Sequence, residues 1–240
     1  MKGSLKFFLG LLIIGALVAG YFLLKRTGGI LTSRGPAVRE WINNPTAHPD
    51  WGIQAGERCD GAVFLMPTDG LIGFLWDDSF YPGHRHSGLD IFGGTNPGVT
   101  PVVAAHDGYL SRFSDWKSTV IIRIPEDPLQ PGRQIWTYYT HMADPAGNSF
   151  VSPEFPAGSD EVFVKAGTLL GYQGNFSGTK DSPVGVHLHF SIVLSGPDGR
   201  FRNETEIANT LDPSPYFNLR LNGPQNPEGI ATCAQAGVDE

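Results

Sequence analysis

Short β-prone runs separated by turn-forming residues are the feature that most limits the fold of this chain. Its 240 residues include 31 glycines and 19 prolines, which favour turns and interrupt helices. Between them lie runs rich in β-branched and aromatic residues, which favour strands. These runs are 62–66, 100–113, 118–124, 134–142, 161–175 and 186–195. The only helical candidate in this part of the chain is a short one at 37–43, so we predict a mainly β domain with antiparallel strands.

The first 26 residues differ from the rest. An uncharged apolar run from Phe7 to Leu24 is flanked by basic residues on both sides. Eighteen helical residues span roughly 27 Å, close to the hydrocarbon thickness of a bilayer. A cleaved signal peptide would have a shorter apolar core and small residues before its cleavage site. We therefore predict one N-terminal transmembrane helix, with a cleaved signal peptide as the alternative. The N-terminal amine slightly favours a cytoplasmic N-terminus, which would place the remaining chain on the extracytoplasmic side of the cell membrane.

The composition predicts four parts and excludes one class of partner. A membrane anchor at 1–26 would be followed by a linker at 27–50, the β domain at 51–220 and a tail at 221–240. The net charge is −7 and no long Lys/Arg run occurs outside the N-terminus, so nucleic-acid binding is not indicated.

The two cysteines, Cys59 and Cys233, lie near the two ends of the part expected outside the cytoplasm. An oxidising compartment would allow a disulfide that ties these ends together, and two unpaired thiols are the alternative. Neither cysteine has CxxC spacing, so a cysteine zinc site is not indicated.

Two histidines occur within the clearest strand pattern, at 186–195. Because side chains alternate between the faces of a strand, one face should be apolar and the other should carry His187, His189 and Ser191. The apolar face comprises Leu188, Phe190, Ile192 and Leu194. Taken alone, the pair is also compatible with two ordinary surface histidines.

Two upstream segments suggest a metal site. His86 and Asp90 lie where a glycine-rich loop enters a short strand, and His141 is the penultimate residue of the aromatic run at 134–142. Three protein ligands with an open fourth position are typical of catalytic zinc, which lowers the pKa of its bound water to about 7. The remaining histidines could then accept a proton and stabilise an oxyanion. If His141 faced the site, Tyr139 would share its strand face and could orient it or support the oxyanion.

Six sequence blocks resemble, in order, those of the lysostaphin/LytM-type zinc endopeptidases, which cut peptide bonds in bacterial peptidoglycan. The resemblance runs from about Met66 to Phe217. The blocks are HSGLDI (86–91), PVVAAHDGYLSRF (101–113), YYTHM (138–142), VKAGTLLGYQGNFSG (164–178), GVHLHFSI (185–192) and LDPSPYF (211–217).

The resemblance implies a fold, a cofactor, a substrate and a role for each matched residue. The fold would be a small antiparallel β-sheet or barrel-sandwich domain with a loop-walled groove, and the substrate a peptidoglycan peptide. One Zn²⁺ per chain would be bound by His86, Asp90 and His189. His187 and His141 would be the catalytic pair. The segments at 143–160 and 175–185 are long for the family and would alter the groove walls. Which cross-link is cut, whether these loops inhibit the enzyme, and whether a regulatory protein binds it stay open.

Two other classes compete with this interpretation. In a cupin-like metal-binding β-barrel, HRHSGLD would supply His84 as a ligand and His141 would not be one. A non-catalytic peptidoglycan-binding or amidase-activating module would retain the fold without the chemistry. The extra histidines His84 and His106 have no assigned role in the preferred interpretation.

Overall fold

A computed structural model of the chain describes residues 34–81, 83–227 and 229–235. The helices are α1 (Gly35–Asn43) and α2 (Ser214–Phe217). The strands are β1 (Leu71–Phe74), β2 (Leu89–Phe92), β3 (Pro101–Val103), β4 (Gly108–Ser111), β5 (Val120–Ile124), β6 (Ile135–Thr140), β7 (Val162–Val164), β8 (Leu169–Tyr172), β9 (Leu188–Leu194) and β10 (Thr210–Leu211). Short 3₁₀ turns occur at Pro45–Ala47, Ile207–Asn209, Gly223–Gln225 and Cys233–Gln235. The predicted membrane anchor at 1–26 lies outside these ranges, and within them no helix has the length and apolar character needed to span a bilayer.

Eight strands form one antiparallel sheet in the order β1-β2-β9-β6-β5-β4-β7, with β10 paired to β9. Strands β3 and β8 form a separate antiparallel pair. The predicted mainly antiparallel β architecture is confirmed. The apolar run at 62–66 is not a strand, although Phe64 and Met66 are buried. Its side chains fill the core without joining the hydrogen-bond ladder.

Strand β9 lies between β2 and β6 and has the predicted two faces. Leu188, Phe190 and Ile192 are buried in the main core. Because alternate side chains point to opposite faces of a sheet, His189 and Ser191 project from the other face. The three adjacent strands β2, β9 and β6 carry or border all five residues of the predicted site.

The predicted helix at 37–43 is confirmed as α1 and begins at Gly35. Val38 and Trp41 pack against Leu71, Phe74 and Phe92 in a second apolar cluster. The indole Nε1–H of Trp41 donates to the backbone carbonyl of Phe92 at 2.6 Å. This part of the segment predicted as a linker is therefore packed against the sheet, while the division of the chain into four parts stays a prediction.

Replacement of Trp41 by alanine should lower the free energy of unfolding by about 3–5 kcal/mol, since it removes a buried aromatic side chain. The adjacent Ile42 is 45% exposed, so Ile42→Ala should change it by less than about 0.5 kcal/mol. Denaturant unfolding of both variants measures the difference. Equal, small effects would show that α1 does not stabilise the domain.

The C-terminal segment is held to the domain by a disulfide and by backbone hydrogen bonds. Cys59 and Cys233 are bonded, with Cα atoms 4.7 Å apart. The backbone amide of Trp76 donates to Leu221, and that of Gly223 donates back to Trp76. The segment therefore packs beside Leu75, whose carbonyl contacts the metal site described below.

Candidate metal centre

Strand pairing brings His86, Asp90 and His189 together. Asp90 on β2 is directly opposite His189 on β9 in the sheet register, and His86 precedes β2 by three residues. His86 Nε2 lies 3.1 Å from Asp90 Oδ1 and 3.1 Å from His189 Nδ1. His189 Nδ1 lies 2.9 Å from Asp90 Oδ1. All three residues are almost fully buried.

The three ligand atoms fit a tetrahedral zinc ion. Bonds of about 2.0–2.1 Å place the ligands of such an ion roughly 3.3 Å apart, close to the 2.9–3.1 Å separations here. Two imidazoles and one carboxylate are also a donor set that zinc accepts, and three protein ligands leave one position for water or substrate. Within the described ranges, this is the one group of three or more His, Cys, Asp or Glu side chains arranged to hold a metal ion.

His86 is oriented by the turn that precedes β2. Its Nδ1–H donates to the carbonyl of Leu75 at 2.8 Å, which leaves Nε2 directed into the cluster. Backbone hydrogen bonds of 2.8 Å join His86 to Asp77 and Asp78. A ligand imidazole whose second nitrogen is held by a carbonyl has a defined tautomer and ring orientation.

His189 faces the cluster through its other nitrogen, Nδ1. Its Nε2 lies 2.9 Å from Ser191 Oγ and 3.7 Å from Glu204 Oε2. Burial by itself would lower the pKa of His189, but its contacts with Asp90 and Glu204 outweigh burial and raise the pKa to about 10. Because zinc binds the neutral imidazole, zinc binding would release a proton from this residue.

Asp90 is the acceptor at the centre of the cluster. Burial would raise its pKa, but the charges of His86 and His187 and hydrogen bonds from His187 and His189 hold that pKa well below its usual value. The carboxylate is therefore ionised at neutral pH and available as a metal ligand.

His187 lies immediately before β9 at the edge of the cluster. Its Nδ1–H donates to the carbonyl of Gly185 at 2.7 Å, and Nε2 is 3.5 Å from Asp90 Oδ1. Its ring stacks on Phe92 with 5.1 Å between centroids. Nε2 of His187 therefore lies beside the three ligand atoms but is not one of them.

His141 follows β6 and faces His187. The two ring centroids are 4.5 Å apart. Its Nδ1–H donates to the carbonyl of Phe176 at 2.7 Å, so Nε2 is the nitrogen free to exchange a proton. Burial, reinforced by the neighbouring His187, lowers the pKa of His141 to about 3, and its imidazole is neutral at neutral pH.

The predicted role of Tyr139 is wrong. Tyr139 is fully buried on the core face, where its ring packs against Phe190 and its hydroxyl accepts the backbone N–H of Ala105 at 2.9 Å. His141 has a positive φ of 73°, in the left-handed region that a strand residue does not adopt. The backbone turns after β6, so the side-chain alternation of the strand does not extend to His141, and Tyr139 and His141 do not share a face.

Neither of the extra histidines near the sequence blocks, His84 and His106, is among the three clustered ligand residues. His84 stacks on Phe80, with 4.7 Å between centroids, and also contacts Tyr81. His106 packs against Phe64 at 5.3 Å. The cupin-like ligand set, which requires His84, is not the set that the structure brings together.

Sequence reasoning did not identify the groups that contact the second nitrogens of the histidines. They are the side chains of Ser191 and Glu204 and the carbonyls of Leu75, Phe176 and Gly185. Alternation in β9 did place Ser191 on the face of His189. No local signal marks Glu204, because it belongs to the irregular segment after β9 and meets His189 only through the fold.

The His-Asp-His donor set makes this antiparallel β domain a candidate mononuclear zinc protein. Two further histidines lie beside the cluster. No protein-family model matches the chain, and no curated protein matches it. Among solved structures it is similar to lysostaphin from Staphylococcus simulans, with 23% identity, a TM-score of 0.38 and coverage of 60% of this chain and 48% of that one. Helicobacter pylori Csd3 has 22% identity and a TM-score of 0.38, with coverage of 60% and 34%. The catalytic domain of a mutant prophage-encoded M23 protein, EnpA from Enterococcus faecalis, has 19% identity and a TM-score of 0.36, with coverage of 63% and 95%.

Lysostaphin/LytM-type proteins, which the sequence blocks indicate, are thus among the solved structures that the chain resembles. The chain spans between about a third and a half of the length of the first two structures. At this level of similarity, function has to be inferred from the site itself.

Proposed function

We propose that this protein is a zinc-dependent endopeptidase that hydrolyses peptide bonds in bacterial cell-wall peptidoglycan. The observation that carries the proposal is the convergence of His86 Nε2, Asp90 Oδ1 and His189 Nδ1 beside two further histidines that are not part of the cluster. The order of the six sequence blocks supports the same activity and the same substrate class.

Zinc would be held by His86, Asp90 and His189, one ion per chain. When bound in such a site, zinc acts as a Lewis acid toward a carbonyl oxygen and lowers the pKa of water. Each of the three ligand residues is less than 10% exposed, and electrostatic interactions are stronger in such a largely desolvated site than in water.

His187 and His141 would handle protons next to this centre. The carbonyl of Phe176 holds the Nδ1–H of neutral His141, so its Nε2 can accept a hydrogen bond. His187 is held by Gly185 through Nδ1, and its Nε2 lies 3.5 Å from Asp90 Oδ1. We assign acceptance and return of a proton to Nε2 of His187 and a supporting hydrogen bond beside it to His141.

We also propose that the protein acts outside the cytoplasm, attached to the cell membrane through residues 1–26. The disulfide between Cys59 and Cys233 supports an oxidising compartment, because such bonds form and persist there. Peptidoglycan lies in the same compartment.

Digestion of purified peptidoglycan tests this function. The chain should release muropeptides whose masses identify a hydrolysed peptide bond, and a chelator should stop the release until zinc is restored. Peptidoglycans with glycine bridges and with direct cross-links should be digested in parallel, since the released masses distinguish the two bonds. A zinc-loaded protein that binds peptidoglycan but releases nothing would instead identify a non-catalytic module.

A further inference from the structure

The second nitrogen of His189 lies in a small polar cluster built from three segments. Ser191 Oγ is 2.9 Å from His189 Nε2, and Glu204 Oε2 is 3.7 Å from it. Ser87 Oγ donates to the same carboxylate oxygen at 3.4 Å. The exposed fraction is 1% for Ser191 and 17% for the side chain of Glu204. The site described above uses neither side chain.

We propose that Glu204 and Ser191 are positioning residues: Ser191 Oγ accepts the Nε2–H of His189, the Glu204 carboxylate pairs with the same nitrogen at 3.7 Å, and together they turn Nδ1 toward the metal. This inference rests on the proposed zinc site. His86 shows the opposite arrangement, because its Nδ1–H is held by Leu75 and its Nε2 enters the cluster. A neighbouring carboxylate also makes the imidazole a more basic ligand than a carbonyl does.

The packing around this cluster leaves little room for another partner. A Cβ atom added at Gly88 would lie 2.2 Å from the carbonyl oxygen of Phe190, 2.5 Å from Ser191 Oγ and 3.0 Å from His189 Nε2. The backbone of Gly88 therefore packs directly against Ser191 Oγ and His189 Nε2. In this enclosure, Ser191 and Glu204 are the polar side-chain groups that approach His189 Nε2.

Zinc affinity of the full-length chain tests the proposal. Competition with a chromogenic chelator of known affinity should show a loss of about 10–100-fold for Glu204→Gln, the range typical of removing a partner of a ligand histidine. The matched control is Glu206→Gln in the same segment, whose carboxylate accepts hydrogen bonds from Asn203 and Asn209. Its zinc affinity should equal that of the wild type.

A spectroscopic readout separates positioning from a general loss of stability. In zinc-loaded protein with ¹⁵N-labelled histidine, the Nε2–H proton of His189 should exchange slowly with solvent. Glu204→Gln should speed this exchange, while exchange of the Nδ1–H of His86, which Leu75 holds, should not change. Should Glu204→Gln fail to fold, Ser191→Ala is the second variant, and it should show the same selective change.

The outcomes distinguish this inference from the proposed function. A wild type that binds zinc, with a variant that matches it in affinity and in exchange at His189, would overturn the positioning role and leave the zinc site intact. A wild type that binds no zinc would overturn the proposed function and the positioning role together.

Discussion

His189→Ala is expected to abolish zinc binding and, with it, hydrolysis of peptidoglycan peptides. The substitution removes one of the three clustered ligand atoms, Nδ1, and leaves only His86 and Asp90. Two buried protein ligands do not complete the three-ligand set of a catalytic zinc site. Elemental analysis after dialysis should find about one zinc ion per wild-type chain and almost none in the variant.

His84→Ala is the matched control for this experiment. His84 lies two residues from His86 but stacks on Phe80 outside the cluster, so the variant should keep its zinc. A variant that loses zinc would favour the cupin-like ligand set. Unchanged metal in His189→Ala, with the fold verified by circular dichroism, would refute the ligand assignment.

His187→Ala is expected to keep most of its zinc and lose hydrolysis by about 10²–10⁴-fold, the usual contribution of a general acid or base. The three ligand atoms are 2.9–3.1 Å from one another, whereas His187 Nε2 is 3.5 Å from Asp90 Oδ1. Removal of this ring therefore spares the metal ligands while taking away a proton carrier beside them. Turnover of a cross-linked muropeptide and zinc content should be measured on the same sample.

Two further variants make this second result specific. His141→Ala should lose turnover in the same way, because its ring faces His187 at 4.5 Å. His106→Ala should change neither quantity, because His106 packs against Phe64 away from the cluster. A His187→Ala protein with full zinc and full turnover would rule out the proton-handling role, and one without zinc would make His187 a ligand.

The strand pattern around His189 could be predicted because side-chain alternation is local. Leu188, Phe190 and Ile192 are buried in the core as expected, and His189 and Ser191 project to the opposite face. The same kind of reasoning failed at Tyr139. Its link to His141 required the strand to continue, and the left-handed backbone at position 141 ends it.

The orientation of each imidazole could not be predicted from local pattern. His86 presents Nε2 because the carbonyl of Leu75 holds its Nδ1. His189 presents Nδ1, with Ser191 and Glu204 at its other nitrogen. Ser191 is two residues from His189 and shares its strand face. Leu75 lies 11 residues before His86 and Glu204 lies beyond the end of β9, so only the folded chain brings these two partners into contact with the histidines.

The sequence by itself determined the strand-rich architecture, the short helix α1 and the identity of the histidines and aspartate that could bind metal, because strand periodicity and ligand chemistry are properties of short segments. The tertiary structure decided which of these residues meet, since the antiparallel pairing of β2 with β9 sets Asp90 opposite His189. It also decided the bond between Cys59 and Cys233, which are 174 residues apart. Pairing across such separations depends on the whole sheet, and no short stretch of sequence contains that information.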